Sequence, residues 1–214
     1  MLYFTLYLIT DRHRTNGRPL AEVVEAALQA GAKAVQLREK DLSGKELFEL
    51  ARRMRELTNQ YGARLFINGR LDIALAVEAD GVHLGQKSFS ANDVKQFLEN
   101  ASRITHHTSR LLIGVSTHSR AEAKKSEEEG ADFITFGPIF YTPSKAEYGE
   151  PLGIEAIKNI KTEIKIPVFA IGGIKKENVK DVMQKGADGI AVISAVIAAE
   201  DAGKAVRELR GEQQ

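Results

Sequence analysis

The chain contains no cysteine, which excludes disulfides, thiolate metal sites and a cysteine nucleophile. It has almost no excess of charge of either sign. With a formal net charge of +1, bulk electrostatics give no reason to expect a nucleic-acid partner. No apolar run approaches the ~20 residues that a membrane helix needs. The apolar start, MLYFTLYLITDRHR, is short, lacks a basic segment and a small-residue cleavage site, and is closed by Asp11. It reads as a strand rather than a signal peptide. There is no early G-x-G-x-x-G fingerprint, which argues against an open dinucleotide-binding sheet. No histidine/carboxylate spacing marks a transition-metal site. What is present is ordinary: 214 residues, 43% apolar and 28% charged, enough for one good-sized core. The expectation is one soluble, cytoplasmic domain over residues 1–214, with a frayed tail at 211–214.

Short β-branched apolar runs alternate with longer amphipathic stretches. The strand candidates are Thr5–Thr10, Lys33–Arg38, Arg64–Asn68, Asp80–Leu84, Leu111–Val115, Asp132–Phe136, Val168–Ile171 and Asp188–Ile193. Helical spacing of apolar residues marks Leu20–Ala30, Gly44–Gln60, Arg120–Glu128, Lys175–Gln184 and Ala195–Leu209. The polar stretch Asn100–Arg110 reads as a longer loop or a ragged helix end. One piece of punctuation recurs. Ala30-Gly31-Ala32, Gly130-Ala131-Asp132 and Gly186-Ala187-Asp188 each stand between a helical pattern and a strand, and Glu78-Ala79-Asp80-Gly81 is a variant. Glycine there suits a left-handed helix C-cap. Eight nearly all-apolar strands, each followed by helical sequence, predict an α/β fold, a single (β/α)8 TIM barrel with short loops.

Active sites of such barrels lie at the C-terminal ends of the strands, and here those ends are polar. Strand two leads into Gln36, Arg38, Glu39 and Lys40, strand three into Asn68, Gly69 and Arg70, and strand five into Ser116, Thr117 and His118. Gln36 and Arg38 are two apart in a strand and so share a face. Cations gathered in a barrel mouth (Arg38, Lys40 and Lys145) suit an oligoanion such as a diphosphate. After strand six, Thr142, Pro143, Ser144 and Lys145 place two hydroxyls, a rigid ring and an ammonium within four residues, a candidate phosphate clamp. The following Ala146–Glu150 could close as a lid. Gly172-Gly173 after strand seven and Ile193-Ser194 after strand eight lie where barrels commonly bind phosphate, against backbone N–H groups and a helix start. Of the histidines, His13, His106 and His107 fall in loop-like sequence, whereas His83 and His118 stand at strand ends and read first as structural.

Eight segments, in order, resemble the thiamine phosphate synthase and thiazole tautomerase family: LITD, VQLREK, INGRLDIAL, ADGVHLGQ, IGVSTHS, ADFITFGPIFYTPSK, IPVFAIGGI and GADGIAVISAV. The resemblance implies that Gln36, Arg38, Lys40, Asn68, Ser116 and Lys145 hold an aminopyrimidine and its diphosphate, with Arg38, Ser116 and Lys145 closest to the chemistry. Thr142, Ser144, Gly173, Ile193 and Ser194 would hold a thiazole phosphate. The implied partners are phosphorylated small molecules, and a homodimer suits a barrel of this size. The implied reaction joins the two rings and releases pyrophosphate.

The sequence departs from that pattern twice. The synthases carry an aspartate directly after the strand-three asparagine and another just after HLGQ, and these ligate Mg2+. Here the positions hold Gly69 and Ser88, so no metal ligand is assigned. NGRLDIAL and Ser88-Phe89-Ser90 lean toward the tautomerase branch, which needs neither diphosphate nor metal, yet that branch's strand-six histidine corresponds to Pro138. Synthase is the first reading and tautomerase the second. A non-enzymatic sensor of thiamine-pathway ligands is the third.

Overall fold

The structure is a computed structural model, and it describes residues 2–105, 111–142 and 149–211. Eight parallel strands close into a barrel in sequence order: β1 (Leu6–Ile9), β2 (Ala34–Leu37), β3 (Arg64–Asn68), β4 (Gly81–Leu84), β5 (Leu112–Thr117), β6 (Phe133–Phe136), β7 (Val168–Ile171) and β8 (Gly189–Val192). Each strand pairs with the next, and β8 closes on β1. The (β/α)8 expectation therefore holds. Most strands are a residue or so shorter at their ends than the apolar runs suggested, while β5 runs on to Thr117.

Helices α1 (Leu20–Gln29), α2 (Gly44–Gln60), α3 (Leu71–Ala76), α4 (Ala91–Thr105), α5 (Arg120–Glu128), α6 (Glu155–Lys161), α7 (Val179–Gln184), α8 (Ser194–Ile197) and α9 (Ala202–Leu209) cover the outside. Two expected helices are corrected. Ala195–Leu209 is two helices, because the Asp201 side chain accepts from Lys204 N–H and starts α9 afresh. Lys175–Gln184 turns helical only at Val179, since Asn178 Oδ1 takes the Lys175 N–H and its Nδ2 donates to the Gly173 carbonyl. Within Asn100–Arg110, α4 continues to Thr105, so that stretch is a helix end; residues 106–110 lie outside the described residues, as do 212–214 of the expected frayed tail.

The recurring punctuation has a physical basis. Gly31, Gly130 and Gly186 all take positive φ, and Glu78 takes φ 51° in the variant. The aspartate that follows makes a second contact. Asp80, Asp132 and Asp188 accept the backbone N–H of Leu65, Ile113 and Val168, at 2.9, 2.8 and 2.7 Å. Each aspartate thus ties the entry of β4, β6 or β8 to the start of the preceding strand.

Two cores result. A large aliphatic one lies between strands and helices, where α1 buries Leu20, Val23, Val24, Ala27 and Leu28. The smaller one fills the barrel with Phe4, Tyr7, Phe66, Phe133 and Phe169. These rings meet mostly edge to face, as Tyr7 and Phe66 do with centroids 5.2 Å apart at 83°. Glycines on the neighbouring strands make room for them. A Cβ on Gly81, Gly114 or Gly189 would fall 2.4 to 2.5 Å from Phe66, Phe133 or Phe169 respectively. This plug closes the barrel below and leaves a mouth above.

Candidate active site

The mouth has two halves. On the β2–β5 side, a buried polar chain sits directly on the aromatic plug. Gln36 Nε2 donates to Tyr7 Oη at 3.3 Å, Tyr7 Oη meets His83 Nδ1 at 3.4 Å, and His83 Nε2 meets Ser116 Oγ at 3.0 Å. Gln36, Tyr7 and His83 are all buried. Burial pushes His83 down to about 3, with the positive charge of Arg38 adding to the effect, so the imidazole is neutral at physiological pH. Burial likewise holds the Tyr7 hydroxyl well above its usual range, against a smaller opposing effect of the Gln36 hydrogen bond.

Arg38 stands just beyond this chain. Its N–H donates to Thr10 Oγ1 at 2.9 Å, and among the described residues its guanidinium has no ion-pair partner. Glu39 is different: it is buried, with Thr10 Oγ1 donating to Oε1 at 2.6 Å and the Arg12 backbone and guanidinium engaging both oxygens. Glu39 thus anchors the end of β2 to the 3-10 turn Arg12–Arg14. Lys40 is exposed and Asn68 half-buried at the rim.

Gly69 and Ser88 meet at the corner between β3 and β4. A Cβ on Gly69, whose φ is +66°, would lie 3.5 Å from Ser88 Oγ, and that hydroxyl accepts the Gly85 N–H at 3.0 Å. Neither residue supplies charge. The acids nearest in sequence are engaged elsewhere, Asp72 with Arg70 and Asp93 with Ser90. Among the described residues no three His, Cys, Asp or Glu side chains gather as a metal site. A hard divalent cation wants carboxylate oxygens, so the side chains at this corner do not fit Mg2+.

On the β6–β8 side, a cavity is lined by Thr142, Gly172, Gly173, Ile193 and Ser194. Gly172 and Gly173 have φ of +97° and +66°. Added Cβ atoms would lie 2.6 Å from Pro138 and 2.7 Å from Phe140 Cβ, so only glycine lets the strand-six loop close down on β7. Ile139 N–H donates to the Ile171 carbonyl and Phe140 N–H to that of Gly172. Ser194 opens α8. Pro143, Ser144 and Lys145, and 146–148 of the expected lid, lie outside the described residues.

Sequence reasoning did not single out Tyr7 or Thr10. Both lie in the first strand candidate, and a hydroxyl inside an otherwise apolar barrel strand was the available signal. His83, read first as structural, is the centre of the polar chain. His118 lies against Glu122, which also takes a hydrogen bond from Gln86 Nε2.

The family description "Thiamine monophosphate synthase" matches residues 6–196, nearly the whole barrel and both halves of the mouth. The chain belongs to the thiamine phosphate synthase family. A protein of Geobacter sulfurreducens is 52% identical over 96% of this chain and 92% of its own length. The thiamine-phosphate synthase of Moorella thermoacetica is 44% identical over 98% and 96%. Among solved structures, thiamine phosphate pyrophosphorylase from Pyrococcus furiosus is similar with TM-score 0.83 and 41% identity, over 98% of this chain and 95% of that one. A 3-hexulose-6-phosphate synthase at 16% identity and TM-score 0.66 shares the barrel fold alone.

Proposed function

We propose that this member of the synthase family joins hydroxymethylpyrimidine diphosphate to thiazole phosphate, giving thiamine phosphate and pyrophosphate. The observation that carries the reading is the guanidinium of Arg38, without an ion-pair partner among the described residues, beside a buried polar chain and across the mouth from a glycine-lined cavity. The pyrimidine sits on the β2–β5 side against Gln36, Asn68 and Ser116. The thiazole phosphate sits by Thr142, Gly172, Gly173, Ile193 and Ser194.

The bond from the pyrimidine methylene to the diphosphate oxygen breaks, and both its electrons leave with pyrophosphate. The resulting methylene cation is stabilised by the amino-substituted ring. The thiazole nitrogen supplies the electron pair of the new C–N bond. No protein base takes a proton in this sequence. The chain's tasks are to align the two rings and to neutralise the departing anion, which falls to Arg38, Lys40 and Lys145. Glu39 acts only by fixing the strand end that carries Arg38 and Lys40. Magnesium dependence belongs to the family pattern, but the β3/β4 corner offers no carboxylate for it, so no step is routed through a metal. The thiazole tautomerase reading has less support, because Pro138 stands where that branch's histidine would be and the relatives above are synthases.

The test supplies both substrates, once with Mg2+ and once with EDTA, and follows thiamine phosphate by chromatography. Product in either condition supports the reading; none in both, beside an active control enzyme, removes it.

A further inference from the structure

Resting on the synthase reading, we infer that Tyr7 and His83 are positioning residues that set the hydrogen-bond polarity of the pyrimidine pocket, so that Gln36 offers it an acceptor and Ser116 a donor.

The argument follows protons along the buried chain. The Gln36 amide nitrogen faces Tyr7 Oη, so the phenol oxygen accepts there and its single proton is left for His83 Nδ1. The imidazole is neutral, held so by burial and by Arg38, and carries one proton. With Nδ1 accepting, that proton is on Nε2 and is donated to Ser116 Oγ at 3.0 Å. The Ser116 proton is then free to turn into the mouth. At the other end, the bond to Tyr7 is the only side-chain hydrogen bond of Gln36 among the described residues, and it leaves Oε1 as the acceptor.

The relay is held rigidly. Tyr7 is wedged among Phe4, Phe66, Phe133 and Phe169, with centroids 5.2 to 6.1 Å away. Gly114 makes room for the histidine, since a Cβ there would fall 2.6 Å from Nδ1. Reversing the polarity requires a different histidine tautomer, a turned tyrosine proton and a flipped amide together.

An acceptor on β2 and a donor on β5 suit a ring with an exocyclic N–H on one side and a ring nitrogen on another. An aminopyrimidine is such a ring. Its 4-oxo counterpart presents a carbonyl where Gln36 Oε1 already stands, leaving two acceptors facing each other. Sites that pair a buried polar group discriminate strongly against a ligand that leaves it unpaired.

The experiment measures, by calorimetry, binding of the aminopyrimidine alcohol and of its 4-oxo analogue to the whole protein, wild type and Tyr7→Phe. In parallel, 15N NMR reads the His83 tautomer, assigned by loss of its signals in His83→Gln. Wild type is expected to prefer the amino ring by at least ~10-fold and to show the Nε2-protonated tautomer. Tyr7→Phe should lose most of that preference while melting normally and binding thiazole phosphate as wild type does. His83→Gln, whose amide can still donate toward Ser116, should retain more of the preference than His83→Leu. An Nδ1-protonated histidine, or an unchanged preference in Tyr7→Phe, overturns the inference even if the wild-type enzyme makes thiamine phosphate. Absence of both aminopyrimidine binding and product formation in wild type overturns the synthase reading, and the inference falls with it.

Discussion

Gly69 and Ser88 are neighbours across the β3/β4 corner, with a Cβ on the first falling 3.5 Å from the hydroxyl of the second. Two carboxylates placed there would converge on one point. Gly69→Asp with Ser88→Asp is therefore expected to create a divalent-cation site. Aspartate tolerates the left-handed backbone of position 69 better than most residues. Mn2+ titration followed by electron paramagnetic resonance should show binding at least ~10-fold tighter in the double variant than in wild type. Equal affinity in the two proteins would mean that the corner does not reach a common ion.

Asp80 should matter for stability and not for chemistry. It receives the Leu65 N–H at 2.9 Å and the Arg55 guanidinium at 2.5 Å, on the side of the barrel away from the mouth. Asp80→Ala leaves a strand N–H and part of a guanidinium unpaired, at a cost of about 2 kcal/mol. Urea unfolding should show a lower midpoint with an unchanged slope, and turnover per folded molecule should match wild type. A midpoint shift within error would remove the strand-tying role given to these aspartates.

The barrel was legible because its rules are local. Short continuous apolar runs such as Leu6–Ile9 read as strands covered on both faces, and Gly31, Gly130 and Gly186 mark the helix ends before β2, β6 and β8. The break at Asp201 was not legible, because Ala195–Leu209 keeps a helical pattern through it and only the cap contact to Lys204 reveals the new start. In the site, Gln36 and Arg38 could be paired from strand spacing alone. Glu39, next to them in sequence, has partners that its position does not reveal. Successive strand residues alternate faces, and what binds Glu39 is Thr10 and Arg12, some 28 positions away. The polar chain through Tyr7 and His83 joins four strands, and no local pattern encodes such a contact.

Gly173→Ala tests the β6–β8 half. The new methyl group would sit 2.7 Å from Phe140 Cβ and 2.9 Å from the Tyr141 carbonyl, on a backbone with φ +66°. The strand-six loop must move outward, and Thr142 with it. The expected result is a loss of about 1–3 kcal/mol in stability from backbone strain and crowding. Thiazole phosphate should bind at least ~10-fold more weakly, while binding of the aminopyrimidine alcohol stays as in wild type. Equal weakening of both ligands would show that the two halves of the mouth are not separable.

His83 makes stability depend on pH with a definite sign. In the unfolded chain a histidine takes up its proton near pH 6.5, whereas in the barrel burial and the Arg38 charge hold His83 neutral down to about 3. The unfolded state therefore binds the extra proton first, and acid favours unfolding. The contribution of this residue is fully present above pH 6.5 and is lost as the pH falls toward 3, at about 1.4 kcal/mol per pH unit for one proton. Between pH 7 and 5 that amounts to about 2 kcal/mol, in a window where carboxylates remain ionised in both states. His83→Gln keeps a donor toward Ser116 and has nothing to titrate. Its unfolding free energy, followed by urea titration at half-unit steps, should change less across that window than wild type by about this amount. Parallel pH profiles for the two proteins would mean that the imidazole is hydrated or already charged in the folded barrel, and the neutral relay from Tyr7 to Ser116 would have to be abandoned.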